Sequence, residues 1–290
     1  MKKEDLMDEE PVLKGKGGGG WRNSLRVVIM MVALCVFLYS AYNLFYIFME
    51  YRDGEKEYED LQKYAVAVEE PEAGSETGGA DGTGTEEDKA DDANDGYVEV
   101  DFAKLQAINP EIVGWIYFPG VGINYPVTKT TDNSYYLTHT FEGTENSAGS
   151  IFMDFANDGG FADTNTFLYG HNMKNGSMFG LLGRYKKEAY FREHPYFWIC
   201  TPTGKYKYQI FSCYVTDAAS KSYTRTFAAE AEYAEYLDML RELSGYDTGV
   251  DVTTADRMVS LSTCTSISED SRFLVHGKLV ESVTDQAVQK

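Results

Sequence analysis

From Val27 to Met49 the chain runs twenty-three residues without a formal charge, and only Ser40 and Asn43 interrupt the apolar and tyrosine side chains. As a helix rising 1.5 Å per residue this run would be about 35 Å long, enough to cross the hydrocarbon core of a bilayer with some tilt. It is longer than the apolar part of an ordinary secretory signal, and Tyr39-Ser40-Ala41 lacks a small residue at the outer cleavage position. An uncleaved anchor over 27–49 is therefore expected rather than a removed signal. The flanking bases (Lys14, Lys16, Arg22 and Arg26 before the run, Arg52, Lys56 and Lys63 after it) are too evenly balanced to orient it.

The net charge of −20 is concentrated. Between Glu69 and Asp95 eleven acids face Lys89 alone, in a stretch with almost no large apolar side chain. Such a segment buries too little area to offset its ordering entropy and repels itself, which predicts an extended, disordered tether. Residues 50–96 thus read as a juxtamembrane stem and acidic linker, and the folded domain as 97–290, with its boundary near Tyr97. A chain this acidic has little means of neutralising phosphates, so nucleic acid is excluded as a partner.

Residues 97–290 read as mainly β. Asp101 is placed to cap a short helix over Phe102–Ile108. GWIYFPG and INYPV are two strands around a Pro-Gly-Val-Gly turn. Further strands are expected at Ser150–Met153, Thr166–Tyr169, Tyr196–Thr201, Lys205–Val215, Met258–Thr263 and Arg272–Val280. The stretch Ala228–Leu243 stands out as helical, with Tyr233, Tyr236, Leu237, Leu240 and Leu243 on one face. Many short strands with few helices predict a barrel or sandwich. No glycine-rich phosphate loop, EF-hand or HExxH pattern occurs, so neither a cofactor nor a metal is expected.

The reactive side chains narrow the function. Cys35 lies inside the apolar run. Cys200 and Cys213 sit asymmetrically about the Thr203-Gly204 turn, with Cys200 facing roughly residue 206, and both read as small core residues rather than a disulfide. Cys264 ends a strand and opens onto a loop, where a thiol is accessible. A thiol needs an imidazole or a cation nearby to act as a nucleophile. His171 also follows a strand directly, at the start of a glycine- and asparagine-rich turn. Arg272 lies a short loop beyond Cys264 and comes close to it if the flanking strands are neighbours. His276, about 13 Å further along that strand, reads as structural or solvated; His139 and His194 carry no signal.

These motifs resemble those of the sortases, cysteine transpeptidases of the Gram-positive cell surface. LYGHNM around His171, LSTC at Leu261–Cys264 and Arg272 are similar to the family's histidine, TLxTC and arginine signatures, in the family's order. NPEIVGWIYFPG followed by INYPV resembles the opening of its barrel. The helix at Ala228–Leu243, between the expected sixth and seventh strands, together with GSIFMDF and NSYYL, resembles class B. The Asp-Pro-aromatic lid motif of class C is not found between Gly96 and Gly114. The resemblance implies a closed eight-stranded sortase-type β-barrel with an N-terminal helix and an added helix between its sixth and seventh strands.

It also implies roles: Cys264 as nucleophile, His171 as general acid/base, and Arg272 as partner of the oxyanion. Asn133, Tyr169, Tyr223, Ser262 and Thr263 correspond to substrate-groove positions. Two departures stand out: serine at position 260 where the family has threonine, and Thr265 after the cysteine where some relatives carry an acid. The implied partners are exported proteins bearing a C-terminal sorting motif, a peptidoglycan peptide amine (on lipid II or a cross-bridge), and the membrane. The implied topology is a cytoplasmic tail over 1–26 and an extracytoplasmic catalytic domain. Two rival readings stand beside this one. An L,D-transpeptidase-like enzyme requires a glycine before the cysteine and an arginine two residues after it, where this chain has Thr263 and Ser266. A non-enzymatic, membrane-anchored surface binding module draws on the 22 tyrosines, which suit contact surfaces.

Overall fold

The computed structural model describes residues 19–68 and 96–284. The tail expected over 1–26 and the tether expected over 69–96 lie largely outside them. The chain divides into two compact units, Met1–Met49 and Glu50–Lys290. One helix, α1 (Gly19–Gln62), contributes to both. In the first unit its large apolar side chains from Leu25 to Phe48 are exposed. A helix apolar all round with no protein covering it suits a lipid environment, and α1 is long and apolar enough to cross a membrane.

The second unit begins earlier than the sequence suggested. Residues 50–62, expected to form a stem, are the charged end of α1 and belong to the folded unit. Tyr58 and Leu61 are buried in its core. The Tyr58 hydroxyl donates to the Gly149 carbonyl at 2.6 Å and accepts from the Phe141 amide at 3.2 Å. Strand β1 (Ala65–Val68) then pairs antiparallel with β2 (Tyr97–Val100), Val68 facing Tyr97. The two ends of the acidic tract are therefore held side by side. The compact unit thus takes in residues 50–68, ahead of the boundary expected near Tyr97.

The rest closes into a barrel. After α2 (Phe102–Ile108), capped by the Asp101 carboxylate accepting from the Lys104 amide at 3.1 Å, come β3 (Ile112–Phe118) and β4 (Ile123–Thr128). Their turn places Gly120 and Gly122 at φ 69° and 92°, a region that favours glycine. Next are β5 (Ile151–Met153), β6 (Asn165–Tyr169), the short α3 (Glu188–Glu193), β7 (Tyr196–Thr201) and β8 (Gly204–Asp217). Last are α4 (Glu230–Leu243), β9 (Met258–Cys264) and β10 (Ser271–Thr284). Strands β3 to β10 form a closed barrel in the order β10-β8-β7-β3-β4-β5-β6-β9. β4 with β5 and β6 with β9 pair in parallel; the other neighbours are antiparallel.

Alternation divides each strand between two faces. Val259, Leu261, Phe273 and Val275 join the main core, whereas Met258 and Leu274 pack with Tyr233, Tyr236, Leu237 and Leu240 of α4. So α4 lies between the sixth and seventh barrel strands in sequence and covers the outer face of β8, β9 and β10. Leu243, expected on its apolar face, is exposed, because it falls in the last turn of the helix.

Under α4 the outer face carries a buried polar chain. His276 is fully buried, with Nδ1 2.8 Å from the Ser260 hydroxyl and Nε2 3.2 Å from the Tyr214 hydroxyl. The Ser260 hydroxyl donates in turn to the Asn165 side-chain oxygen at 2.7 Å. His276 is thus structural and unsolvated. Burial excludes the imidazolium and lowers its pKa from 6.5 to about 3. The folded state therefore refuses a proton that the unfolded chain accepts, so the stability His276 contributes is present above about pH 6.5 and lost as pH falls toward 3. Replacing His276 with Gln should flatten the acid limb of urea unfolding by about 1.4 kcal/mol per pH unit between pH 6.5 and 4.5. Parallel limbs for parent and variant would refute it.

Candidate active site

Three adjacent strands set the site. β6 runs parallel to β9 with Tyr169 beside Ser262, and β9 runs antiparallel to β10 with Cys264 opposite Arg272. Continuing the β6–β9 register by two residues brings His171 level with Cys264. The Gly170 amide donating to the Ser262 carbonyl at 3.2 Å, and the Asn172 side-chain amide donating to the Cys264 carbonyl at 2.9 Å, hold the two strand ends at that level. Each step between neighbouring strands is about 4.8 Å. Cys264, His171 and Arg272 therefore emerge at one height on consecutive strands. They line one cavity of about 360 Å³.

Each of the three is accessible and oriented. Cys264 is exposed and its thiol is free. His171 places Nε2 2.7 Å from the Leu137 carbonyl. A carbonyl only accepts, so Nε2 carries a hydrogen and Nδ1 is the nitrogen left facing other partners. Arg272 donates through Nη1 to the carbonyl of Glu269, in the loop joining β9 to β10, at 2.6 Å, and to that of Ser271, the first residue of β10, at 3.2 Å.

The other sequence candidates line the same cavity. Tyr223 and Ser262 join hydroxyls at 2.8 Å, and burial raises the Tyr223 pKa. Thr263 is buried, and alternation turns its side chain to the face opposite Cys264, so toward the cavity it presents backbone. Asn133 is held at both ends: its Nδ2 donates to Asp154 at 3.1 Å, and its Oδ1 accepts from the Phe155 amide at 2.9 Å. The Tyr169 hydroxyl donates to the same Asp154 oxygen at 2.8 Å.

Asp154, Arg225, Asn172 and Leu137 escaped the sequence reading. Asp154 follows the buried strand β5, an acid at the end of an apolar run, which is the signal that was available. Leu137 acts through its carbonyl and has no side-chain signature. The remaining cysteines and histidines lie outside the cavity lining. Cys200 and Cys213 are buried and no disulfide joins them; Cys200 faces Lys205, close to the expected position, and Cys213 faces Val275. Burial pushes the Cys213 thiol up to about 12, so it stays protonated near neutrality.

A sortase domain model matches residues 116–280. The chain belongs to the sortase family. Sortase B of Listeria monocytogenes is 36% identical over 187 residues, 64% of this chain and 76% of the relative. Among solved structures, sortase B from B. anthracis superposes with a TM-score of 0.65 at 34% identity, covering 81% of this chain and 99% of that one. A Staphylococcus aureus sortase B–substrate complex gives a TM-score of 0.59 at 36% identity, covering 62% and 84%. The class B resemblance and the closed barrel expected from the sequence are thereby met. Sortases are cysteine transpeptidases, and the scaffold and L,D-transpeptidase readings fall away.

Gly170 links β6 to His171. A Cβ there would stand 2.8 Å from the Phe179 ring and would also collide with Ile151. Gly170→Ala should therefore destabilise the domain by about 1–3 kcal/mol and slow alkylation of Cys264 by shifting His171. A parental melting temperature and labelling rate would contradict this.

Proposed function

We propose that this sortase is a single-pass membrane protein with its catalytic unit outside the cell, and that Cys264, His171 and Arg272 carry out its transpeptidation. The Cys264 thiolate attacks the carbonyl carbon of a threonine in a C-terminal sorting motif of an exported protein. The carbon becomes tetrahedral and its oxygen negative. Arg272 offers that oxygen donors from a guanidinium that keeps its charge at any physiological pH. His171 donates a proton to the departing amine, the C–N bond breaks, and a thioester links the threonine acyl group to Cys264.

An amine of a peptidoglycan peptide, on lipid II or a cross-bridge, then attacks the thioester. His171 accepts its proton, the new amide forms, and Cys264 is released. The Leu137 carbonyl fixes one imidazole nitrogen, which makes Nδ1 the nitrogen that exchanges the proton. Asn133, Tyr169, Tyr223 and Ser262, with the Thr263 backbone, form the peptide groove. The observation that carries this reading is the shared strand register of Cys264, His171 and Arg272. The Staphylococcus aureus sortase B–substrate complex supports the class of substrate. The exposed apolar half of α1 supports the anchor, and orientation follows from where exported substrates and cell-wall amines occur.

Cys264→Ala should abolish cleavage of sorting-motif peptides and formation of the thioacyl-enzyme, read by mass spectrometry. Arg272→Lys should lose about 10²–10³ in kcat, since an ammonium does not reproduce the fork of donors. Turnover by the alanine variant, or a near-parental rate with lysine, would remove the corresponding role.

A further inference from the structure

One carboxylate organises the side of the cavity away from the thiol. Asp154 is 1% exposed, and its oxygens are met from four segments of chain. Oδ2 accepts from Asn133 Nδ2 at 3.1 Å, from the Tyr169 hydroxyl at 2.8 Å and from Arg225 Nη1 at 3.1 Å. Oδ1 accepts from the Ala156 amide at 2.9 Å. A buried carboxylate is tolerated only when it is paired and hydrogen-bonded, and removing its charge leaves the facing cation without a partner. Asp154 thus ties β6, the segment before Tyr135, and the segment between β8 and α4 to the end of β5.

The donors are not equivalent. The Tyr169 proton is committed to Asp154, and its pKa is raised by burial and by that carboxylate. Asn133 is occupied at both ends. Arg225 differs: its side chain is 37% exposed and it lines the cavity shared with Cys264 and Arg272. Asp154 engages only its Nη1, and the described residues give the guanidinium no other hydrogen-bond partner. Since a guanidinium has five N–H donors and no acceptor, it has donors to spare, and Asp154 holds it in one place.

We infer that Arg225 is a peptide-contacting, specificity-determining residue that binds a carboxylate or amide oxygen of the substrate, and that Asp154 is the residue that positions it. This rests on the peptide groove proposed above. Asp154 itself offers the peptide nothing, because its charge is consumed within the wall. The groove therefore favours peptides with an oxygen acceptor on that side and disfavours cationic ones.

The test uses the full chain in detergent, with peptides in which each residue upstream of the threonine is varied in turn among Glu, Gln, Leu and Lys. At one position the parent should prefer Glu and Gln over Leu and Lys. Arg225→Gln should erase that preference and raise KM for the favoured peptides about tenfold, with a smaller effect on kcat. Asp154→Asn should do the same although Arg225 is still present, and Arg225→Lys should restore part of the preference. The rate of Cys264 alkylation by iodoacetamide should stay parental in Arg225→Gln, which separates this result from failure of the catalytic assignment. Unchanged KM and preference in Arg225→Gln, or a loss confined to kcat, would overturn the inference. If Asp154→Asn unfolds, Arg225→Gln decides alone.

Discussion

The offset between two parallel neighbours, β6 and β9, combined with the antiparallel pairing of β9 and β10, determines where Cys264, His171 and Arg272 stand. In a closed barrel no strand slides without breaking the ladders on both of its edges, and a slip of one residue turns each side chain to the opposite face. Tyr169 beside Ser262 and Cys264 opposite Arg272 thus place an imidazole, a sulfur and a guanidinium at one height. The hydrogen bonds from Gly170 and Asn172 extend that alignment past the last paired residues. The placement of these three groups is a property of the sheet, and the loops carry it only one or two residues further.

The same outer face serves two opposite purposes. On β10, Arg272 and His276 point to one side of the barrel, four residues apart. Helix α4 covers the level of His276 and leaves that of Arg272 open. Burial keeps His276 neutral, bonded to Ser260 and Tyr214, while Arg272 stays charged at the mouth of the cavity. The difference lies in what is laid over each residue, since strand, face and local sequence are common to both. The segment leading into that helix supplies Tyr223 and Arg225 to the cavity.

The charged end of α1 is bound to the barrel largely by side chains acting on backbone. Glu50 accepts from the Ser147 amide at 2.6 Å, Glu57 from the Glu142 amide at 2.9 Å, and Tyr58 bridges Gly149 and Phe141. Loop amides without strand partners are satisfied by a helix, which fixes the loops that precede β5. Glu55 takes the Asn175 side-chain amide at 2.6 Å in the turn that begins at His171. The folded unit starts directly after the last residue of the apolar run.

Local patterns made much of this readable. Alternation and turn chemistry located the barrel strands to within a few residues, since both act over short spans of chain. The Asp101 cap and the helix near Ala228–Leu243 were legible for the same reason. Cys264, His171 and Arg272 stood out because a reactive side chain at a strand end is visible in one dimension. Pairing was not: no local pattern tells that Val68 faces Tyr97 across an acidic tract, so residues 50–68 looked like a stem. Nor does one tell that Asp154, a single acid after an apolar strand, gathers Asn133, Tyr169 and Arg225. By itself the sequence determined the elements, the anchor and the identity of the reactive groups, because those follow from neighbours along the chain. The tertiary structure alone decided which groups share a cavity, which histidine is sealed and which carboxylate organises the wall, because burial and distance arise only when remote segments pack together.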